Sequence, residues 1–573
     1  MNKTQISNPL NEALTNCRKV FIVTFMFAFG VNLLMLLTPL YSLQVLDKVI
    51  SSHSLETLTM LTLVMLVIHI AYTLLQIARS FTLIKVGEWL DTKLTPILFA
   101  NSVSISAIRT SLGASQNLRD LETVKGFLTS IGINTLFDAP WSIIYLIVIF
   151  LIHPYLGYLT IIGGIIILLF AVLNAYATNS KLNQANEYNM KSLNLSEIAT
   201  RNAEVVEAMG MMKAVVHNWH KANLDKLNMQ SIASYRNGII SNISKLLRMV
   251  LQMAVTGIGA YVVIKHPDQM TVGGMIASSI LVGRALAPFD AAIETWKQIT
   301  GASKAYERLK DSFERSPLRQ EAMSLPTPEG RLSVENLLFA PPATAPQATP
   351  RYTLKGVSFA LEPGEILAVI GPSAAGKSSL AKLIVGVWKP MSGIVRLDGA
   401  DVYTWNRDDF GKHIGYLPQG IELFSGSIKE NIARLREDAT PEQIVDAAKL
   451  SGAHDMILRL PNGYETDIGI SGSAISAGQR QRVGLARAYF GNPKLVVLDE
   501  PNANLDELGE QALVSALVNA KERKITSIII SHRPSILSCV DKILILQDGM
   551  VAAFGPRDEV LSRFSAPRPT QPN

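Results

Sequence analysis

Six long apolar runs, nearly free of charge, govern what the first half of this chain can become. The first, from about Val20 to Leu40, reads VFIVTFMFAFGVNLLMLLTPL and contains no acidic or basic residue. The second spans about Leu55 to Ala78 and carries only Glu56 and His69. The third and fourth, about Ile131 to Ile152 and Tyr155 to Ala177, are separated by His153 and Pro154. The fifth covers about Leu246 to Ile264 and the sixth about Thr271 to Ile293. A helix needs ~20 residues to cross ~30 Å of hydrocarbon, and each run comes close to that. Buried core helices of a large soluble protein rarely stay apolar for so long, so the runs predict six membrane spans. The first run is longer than the core of a signal peptide and has no small-residue cleavage site behind it, so it is expected to stay in place.

Composition narrows the class. Charged residues make up only 17% and hydrophobic residues 48%, with a mean hydropathy of +0.24. Chains that stay disordered are charge-rich and poor in apolar residues, so that class is excluded. Two cysteines, Cys17 and Cys539, cannot build a disulfide framework. The net charge of +6 fits basic cytoplasmic loops. Lys and Arg concentrate before the first run, between the second and third, and between the fourth and fifth, which predicts cytoplasmic termini. Those two basic connections are long, and Leu193, Ile198, Val205 and Met209 recur near helical spacing, which predicts helices projecting from the membrane.

The chain therefore divides into a short cytoplasmic segment (1–19), a membrane domain (20–315), a Pro-containing linker (316–330), a soluble α/β domain (331–564) and a disordered tail (565–573). In the α/β domain, ILAVIGPSAAGKSSLAKLIVG reads as strand, glycine loop and helix. Gly371, Gly376, Lys377 and Ser378 match the phosphate-loop spacing, and Pro372, Ser373, Ala374, Ala375 and Ser379 complete the candidate ATP-binding segment. Loop N–H groups can close on phosphates, Lys377 can reach the β and γ oxygens, and Ser378 can hold Mg2+. About 120 residues on, KLVVLDE forms an apolar strand ending in Asp499 and Glu500. Asp499 is placed to position Mg2+ and Glu500 to act as general base on water. An acidic pair at a strand end is by itself an ordinary turn; the phosphate loop changes its meaning.

Between loop and acidic strand lies ISAGQRQRVGLARA, and the chain here resembles the ATP-binding cassette (ABC) transporters. Ser476, Gly478 and Gln479 match the signature motif, with Ala477 where many cassettes have glycine. Gln419 in YLPQGIELFSGSIKENI matches the glutamine loop, Asp506 in NLDELGE the D-loop, and His532 in IIISHRP the switch histidine. The resemblance implies an exporter-type six-helix membrane domain joined to an ABC cassette, with Gln419 and His532 catalytic beside Glu500 and Gln419 also on the metal. It further implies a homodimer in which each ATP meets one phosphate loop and the opposite signature motif. An aromatic residue usually stacks on adenine, and near that position this chain has Pro341 or Pro342. Tyr352 is spaced too closely to the loop for that role and is expected to serve ordinary packing.

The membrane half is similar to type I secretion transporters, carried by YSLQVLDKVISSHSLETLTML, RNAEVVEAMGMM and GRALAPFDAAIETWKQITGASKAYERL. SAGQ and EPN-x-NLD in the cassette resemble the branch that exports proteases and other glycine-repeat proteins. The resemblance implies an unfolded protein substrate with a C-terminal signal, moved across the bacterial inner membrane. It also implies a periplasmic membrane-fusion adaptor and an outer-membrane channel as partners, contact with membrane lipid, and no nucleic acid. With only 19 residues before the first run, a leader-cutting peptidase domain is not expected. A lipid or small-molecule exporter of the same architecture, and an ATP-gated channel or regulator, are the alternatives. Ile470 stands where such transporters usually carry glutamate, which puts coupling at that point in question. Segments near Ser104 to Ser115 and Ala203 to Val215 are expected to dock on cassettes. Arg284 lies deep in the sixth run, with Asp290 and Glu294 beyond it; it either lines the substrate path or pairs with Asp290.

Overall fold

The computed structural model describes residues 9–108, 116–315, 325–341, 351–469, 472–503 and 505–565. Contacts divide the chain into two units, Met1–Leu318 and Arg319–Asn573. Most of the expected linker, the expected tail, Pro342 and Ile470 lie outside the described residues, as does part of the Ser104 to Ser115 segment.

The first unit is helical. Among the described residues, six helices are long and apolar enough to cross a membrane: Pro9–Ser52, Leu55–Ile108, Gly132–Ile152, Pro154–Arg201, Met212–Lys265 and Val272–Glu314. They coincide with the six apolar runs. The projecting helices expected beyond the spans are continuous with them, and the second and fifth helices reach 54 residues each. At about 1.5 Å per residue such a helix is ~80 Å long, far more than the bilayer takes up. A short helix, Ala203–Ala208, sits at the tip between the fourth and fifth helices. The first membrane segment contains a π-helical turn at Val45–Val49. Asp47 on that turn accepts hydrogen bonds from Thr271 Oγ1 and from the Gly273 N–H at 2.9 Å, capping the sixth helix.

The helices meet through small residues and buried polar groups, as expected where lipid cannot supply a hydrophobic drive. A Cβ on Gly163 would lie 2.2 Å from Leu251 Cδ2, so glycine there lets the fourth and fifth helices touch. Arg79 is buried and donates to Asp138 at 2.8 Å, with Asn32 Nδ2 donating to the same oxygen at 3.1 Å. Asp290 is also buried. It accepts from Ser244 Oγ at 2.7 Å and lies 3.1 Å from Arg248 Nε, while Glu294 pairs with Lys245. The expected alternative of an Arg284–Asp290 pair is therefore not what forms: the fifth helix reaches Asp290 first.

The second unit is an α/β domain. Six strands, in the order β10-β9-β3-β8-β7-β6, form its main sheet: β3 (Ile366–Ile370), β6 (Ile414–Leu417), β7 (Leu495–Asp499), β8 (Thr526–Ile530), β9 (Lys542–Gln547) and β10 (Met550–Pro556). β9, β3, β8, β7 and β6 run parallel and β10 pairs antiparallel. Every residue of β7 and β8 is buried, matching their continuous apolar runs. A smaller antiparallel sheet includes β1 (Leu332–Phe339), β2 (Leu354–Leu361) and β4 (Ser392–Leu397). Helices between Ile428 and Tyr489 pack around Ile428, Ile432, Ala448, Ile457 and Val483 as a separate core.

Candidate functional site

Parallel sheets bind ligands beyond the carboxyl ends of their strands, and that edge carries the motifs. β3 ends at Ile370 and the chain turns through Gly371–Gly376 into the helix Lys377–Ile384. Two glycines are obligatory here. Gly371 has φ 153° and a Cβ on it would lie 2.2 Å from Leu546 O; Gly376 has φ 100°, caps the helix, and a Cβ there would lie 2.8 Å from Thr353 O. The loop thus presents backbone N–H groups and a helix N-terminus to one point, an anion site. Lys377 folds across it, donating to Gly371 O at 2.8 Å and Pro372 O at 3.0 Å.

The acidic strand end lies alongside. Asp499 on β7 is opposite Ile530 on β8, and Glu500 N–H donates to Ile530 O at 3.0 Å. Glu500 adopts φ 51°, unusual for a residue with a side chain and of the kind found at functional sites. Its carboxylate Oε2 accepts from Gln419 Nε2 at 2.9 Å. Burial pushes the Asp499 carboxyl above the usual carboxylate range and the Glu500 charge adds to this, while the Ser378 hydroxyl, Lys382 and Lys377 act in the opposite direction. Asp499 Oδ1 has no hydrogen-bond partner. An orphaned buried carboxylate oxygen beside a serine hydroxyl, with the Gln419 amide nearby, is a hard-oxygen donor set that fits Mg2+.

A cleft of about 550 Å³ joins these groups. Its lining includes Ser373, Ala374, Gly376, Lys377, Ser378 and Ser379 from the loop, with Gln419 and Glu500. Pro341, Arg351, Tyr352 and Asp548 complete another part of the wall. Tyr352 is 42% exposed and lines this space, which its spacing from the loop did not lead one to expect. Its short sequence distance from the loop misleads, because β2 and β3 carry the chain away and back before the loop begins.

The other predicted residues stand apart from this wall. Ser476 caps the helix Ala477–Tyr489 and forms a reciprocal box with Gln479: its Oγ accepts from Gln479 N–H at 3.3 Å, and its own N–H donates to Gln479 Oε1 at 2.8 Å. Ser476 and Ala477 are exposed, Gly478 is the next residue of the same first turn, and none of them lines the cleft of their own cassette. Gln481, buried on this helix, donates to Pro501 O at 2.6 Å and ties the signature segment to the loop after Glu500. Asp506 caps the helix Glu507–Glu522; the Gly509 N–H, and after it Arg482, hold its carboxyl below the usual range. His532 is exposed two residues beyond Ile530, on the strand edge next to Asp499, but it is not part of the cleft wall. Sequence reasoning missed Arg351, Asp548 and Gln481, for which no motif spacing gives a signal.

A glycine loop of phosphate-loop geometry, a buried orphaned carboxylate beside Ser378 and a hydrogen-bonded acid-amide pair fit a nucleotide-hydrolysing motor, here on one chain with six membrane-length helices. Residues 354–503 match the ABC transporter family and residues 21–286 match the ABC transporter transmembrane region. The chain is 41% identical over 557 residues to the type I secretion system ATP-binding protein PrsD of Rhizobium meliloti (strain 1021), covering 97% of this chain and 94% of that one. It is 27% identical to the leukotoxin translocation ATP-binding protein LktB of Mannheimia glucosida, over 96% of this chain and 77% of that one. A bacterial Atm1-family ABC exporter with ATP bound shares the fold, with a TM-score of 0.79, 21% identity and coverage of 96% and 97%. The chain belongs to the ABC transporters, in the type I secretion branch.

Proposed function

We propose that this chain is the ATP-driven motor and inner-membrane passage of a type I protein secretion system, exporting an unfolded polypeptide with a C-terminal signal. The observation that carries the reading is the Lys377, Ser378, Glu500 and Gln419 cleft, with Asp499 buried beside Ser378, on the same chain as six membrane-length helices. The similarity to proteins named for secretion and toxin translocation supports the substrate class.

In this reading Gly371, Pro372, Ser373, Ala374, Ala375, Gly376, Lys377, Ser378 and Ser379 grip the triphosphate, and Ser378, Gln419 and Asp499 hold Mg2+. The ion, when bound, neutralises charge developing on the phosphoryl oxygens. Glu500 accepts the proton of the attacking water, and Gln419, hydrogen-bonded to it, fixes its direction. His532 approaches the γ-phosphate from the β8 edge when the site is assembled. Ser476 is exposed, Gly478 and Gln479 are half-buried, and none of them lines their own cleft, which suits a role across a two-fold axis in a homodimer. There the helix start and the Ser476 hydroxyl would face the partner's ATP, with Asp506 at the seam. Tyr352 offers its ring to the adenine. A periplasmic membrane-fusion adaptor and an outer-membrane channel would complete the route, and the termini and cassette would lie in the cytoplasm.

Glu500→Gln is the decisive variant. ATP binding should persist while turnover falls about a thousandfold, the range of a lost general base. Measured phosphate release close to wild type would remove Glu500 from its role.

A further inference from the structure

Among the described residues, Arg284 is a basic group deep in an apolar span that no ion pair neutralises. The sixth helix starts at Val272, and Arg284 stands twelve residues along it. At about 1.5 Å per residue, that is ~18 Å into a hydrocarbon layer ~30 Å thick. Leu281, Val282, Ala285 and Leu286 around it are buried against neighbouring helices, whereas Arg284 itself is exposed on the protomer. An arginine at this depth is costly against lipid and faces a cavity or a partner.

No carboxylate among the described residues pairs with it. Among the described residues, each carboxylate at the membrane helices' inner half is already engaged: Asp138 with Arg79 and Asn32, Asp290 with Ser244 and Arg248, Glu294 with Lys245. Asp47 caps the start of the sixth helix, and Glu56 lies in the first turn of the second, so both sit at the opposite end from the cytoplasm. A second copy related by two-fold symmetry presents the same set, equally engaged, together with a second Arg284. Two such cations facing one passage would need an anion that the carboxylates of the described residues do not supply. We propose that Arg284, contributed once by each of two copies, forms a mid-membrane binding step for carboxylate groups of the exported polypeptide. The proposal rests on the protein-export reading above and names the chemistry that this passage selects.

Two measurements on the full-length dimer in lipid nanodiscs test it. In a Cys17→Ser, Cys539→Ser background, Arg284→Cys should react with a negatively charged, membrane-impermeant thiosulfonate, while Leu66→Cys, on the lipid-facing surface of the second helix, should not. An inert Arg284→Cys means that the position faces lipid or protein and overturns the proposal. In the second measurement, two fluorescent unstructured polypeptides are compared by anisotropy, identical except for aspartate in one and asparagine in the other. Wild type should bind the aspartate form about tenfold tighter, the size of one charge-assisted hydrogen bond. Arg284→Gln should abolish that preference and Arg284→Lys should keep it. Equal binding of the two polypeptides to wild type, or a preference that survives Arg284→Gln, sinks the proposal. If neither polypeptide binds wild type, it is the protein-export reading that fails.

Discussion

The two halves of this chain use the same apolar residues in opposite senses. In the cassette, the residues of β7 and β8 are buried, and the sheet is sealed on both faces. In the membrane unit, none of the apolar window of the second helix is buried inside the protomer, and Leu66 and Leu151 are exposed. Water drives the first arrangement. The second needs a solvent that is itself apolar, so its helices associate through close backbone approach and polar contacts. Charge follows the same division. The cassette gathers Lys377, Gln419 and Glu500 around a cleft that a ligand can enter, whereas the membrane unit closes Arg79 on Asp138 and Arg248 on Asp290.

That contrast can be broken most directly at Arg79. Arg79→Ala leaves Asp138 without its cation and should destabilise the membrane unit by about 3–5 kcal/mol, the cost of splitting a buried pair. Thermal unfolding in lipid would detect it; an unchanged transition would show that Asp138 is solvated. Next in size come two glycines that look alike in sequence. Gly163→Val forces the Leu251 contact apart and should cost about 1–3 kcal/mol of stability, with ATP binding intact. Gly371→Ala should do the converse, reducing ATP affinity in an equilibrium binding assay through clash with Leu546 O. Should both variants lose the same property, the division of labour drawn between the halves is wrong. The smallest effect is expected at Tyr352. Replacing it with alanine should weaken ATP binding by about 1 kcal/mol, the low end for loss of one aromatic stack on a base, while Tyr352→Phe stays near wild type. Full affinity in the alanine variant would return Tyr352 to a packing role.

Much of this was legible beforehand because it is local. The six spans were readable from runs of about twenty residues, and the phosphate loop from eight consecutive positions. Contacts between distant residues were not. The Gln419–Glu500 hydrogen bond joins residues 81 apart, and the Ser244–Asp290 bond joins residues 46 apart. Nor did the periodicity reveal that the projecting helices continue the spans without a break, since a helix stays a helix whether its surroundings are lipid or water. Tyr352 lines the cleft despite its short spacing from the loop, because distance along the chain is not distance in space.

What the order of residues determined alone was which segments must leave water and which loop can grip phosphate, because hydropathy and backbone freedom are properties of short stretches. Which acid meets which base was decided by tertiary structure. Asp290 went to Ser244 and Arg248 rather than to Arg284, since an ion pair forms with the group that packing brings within reach.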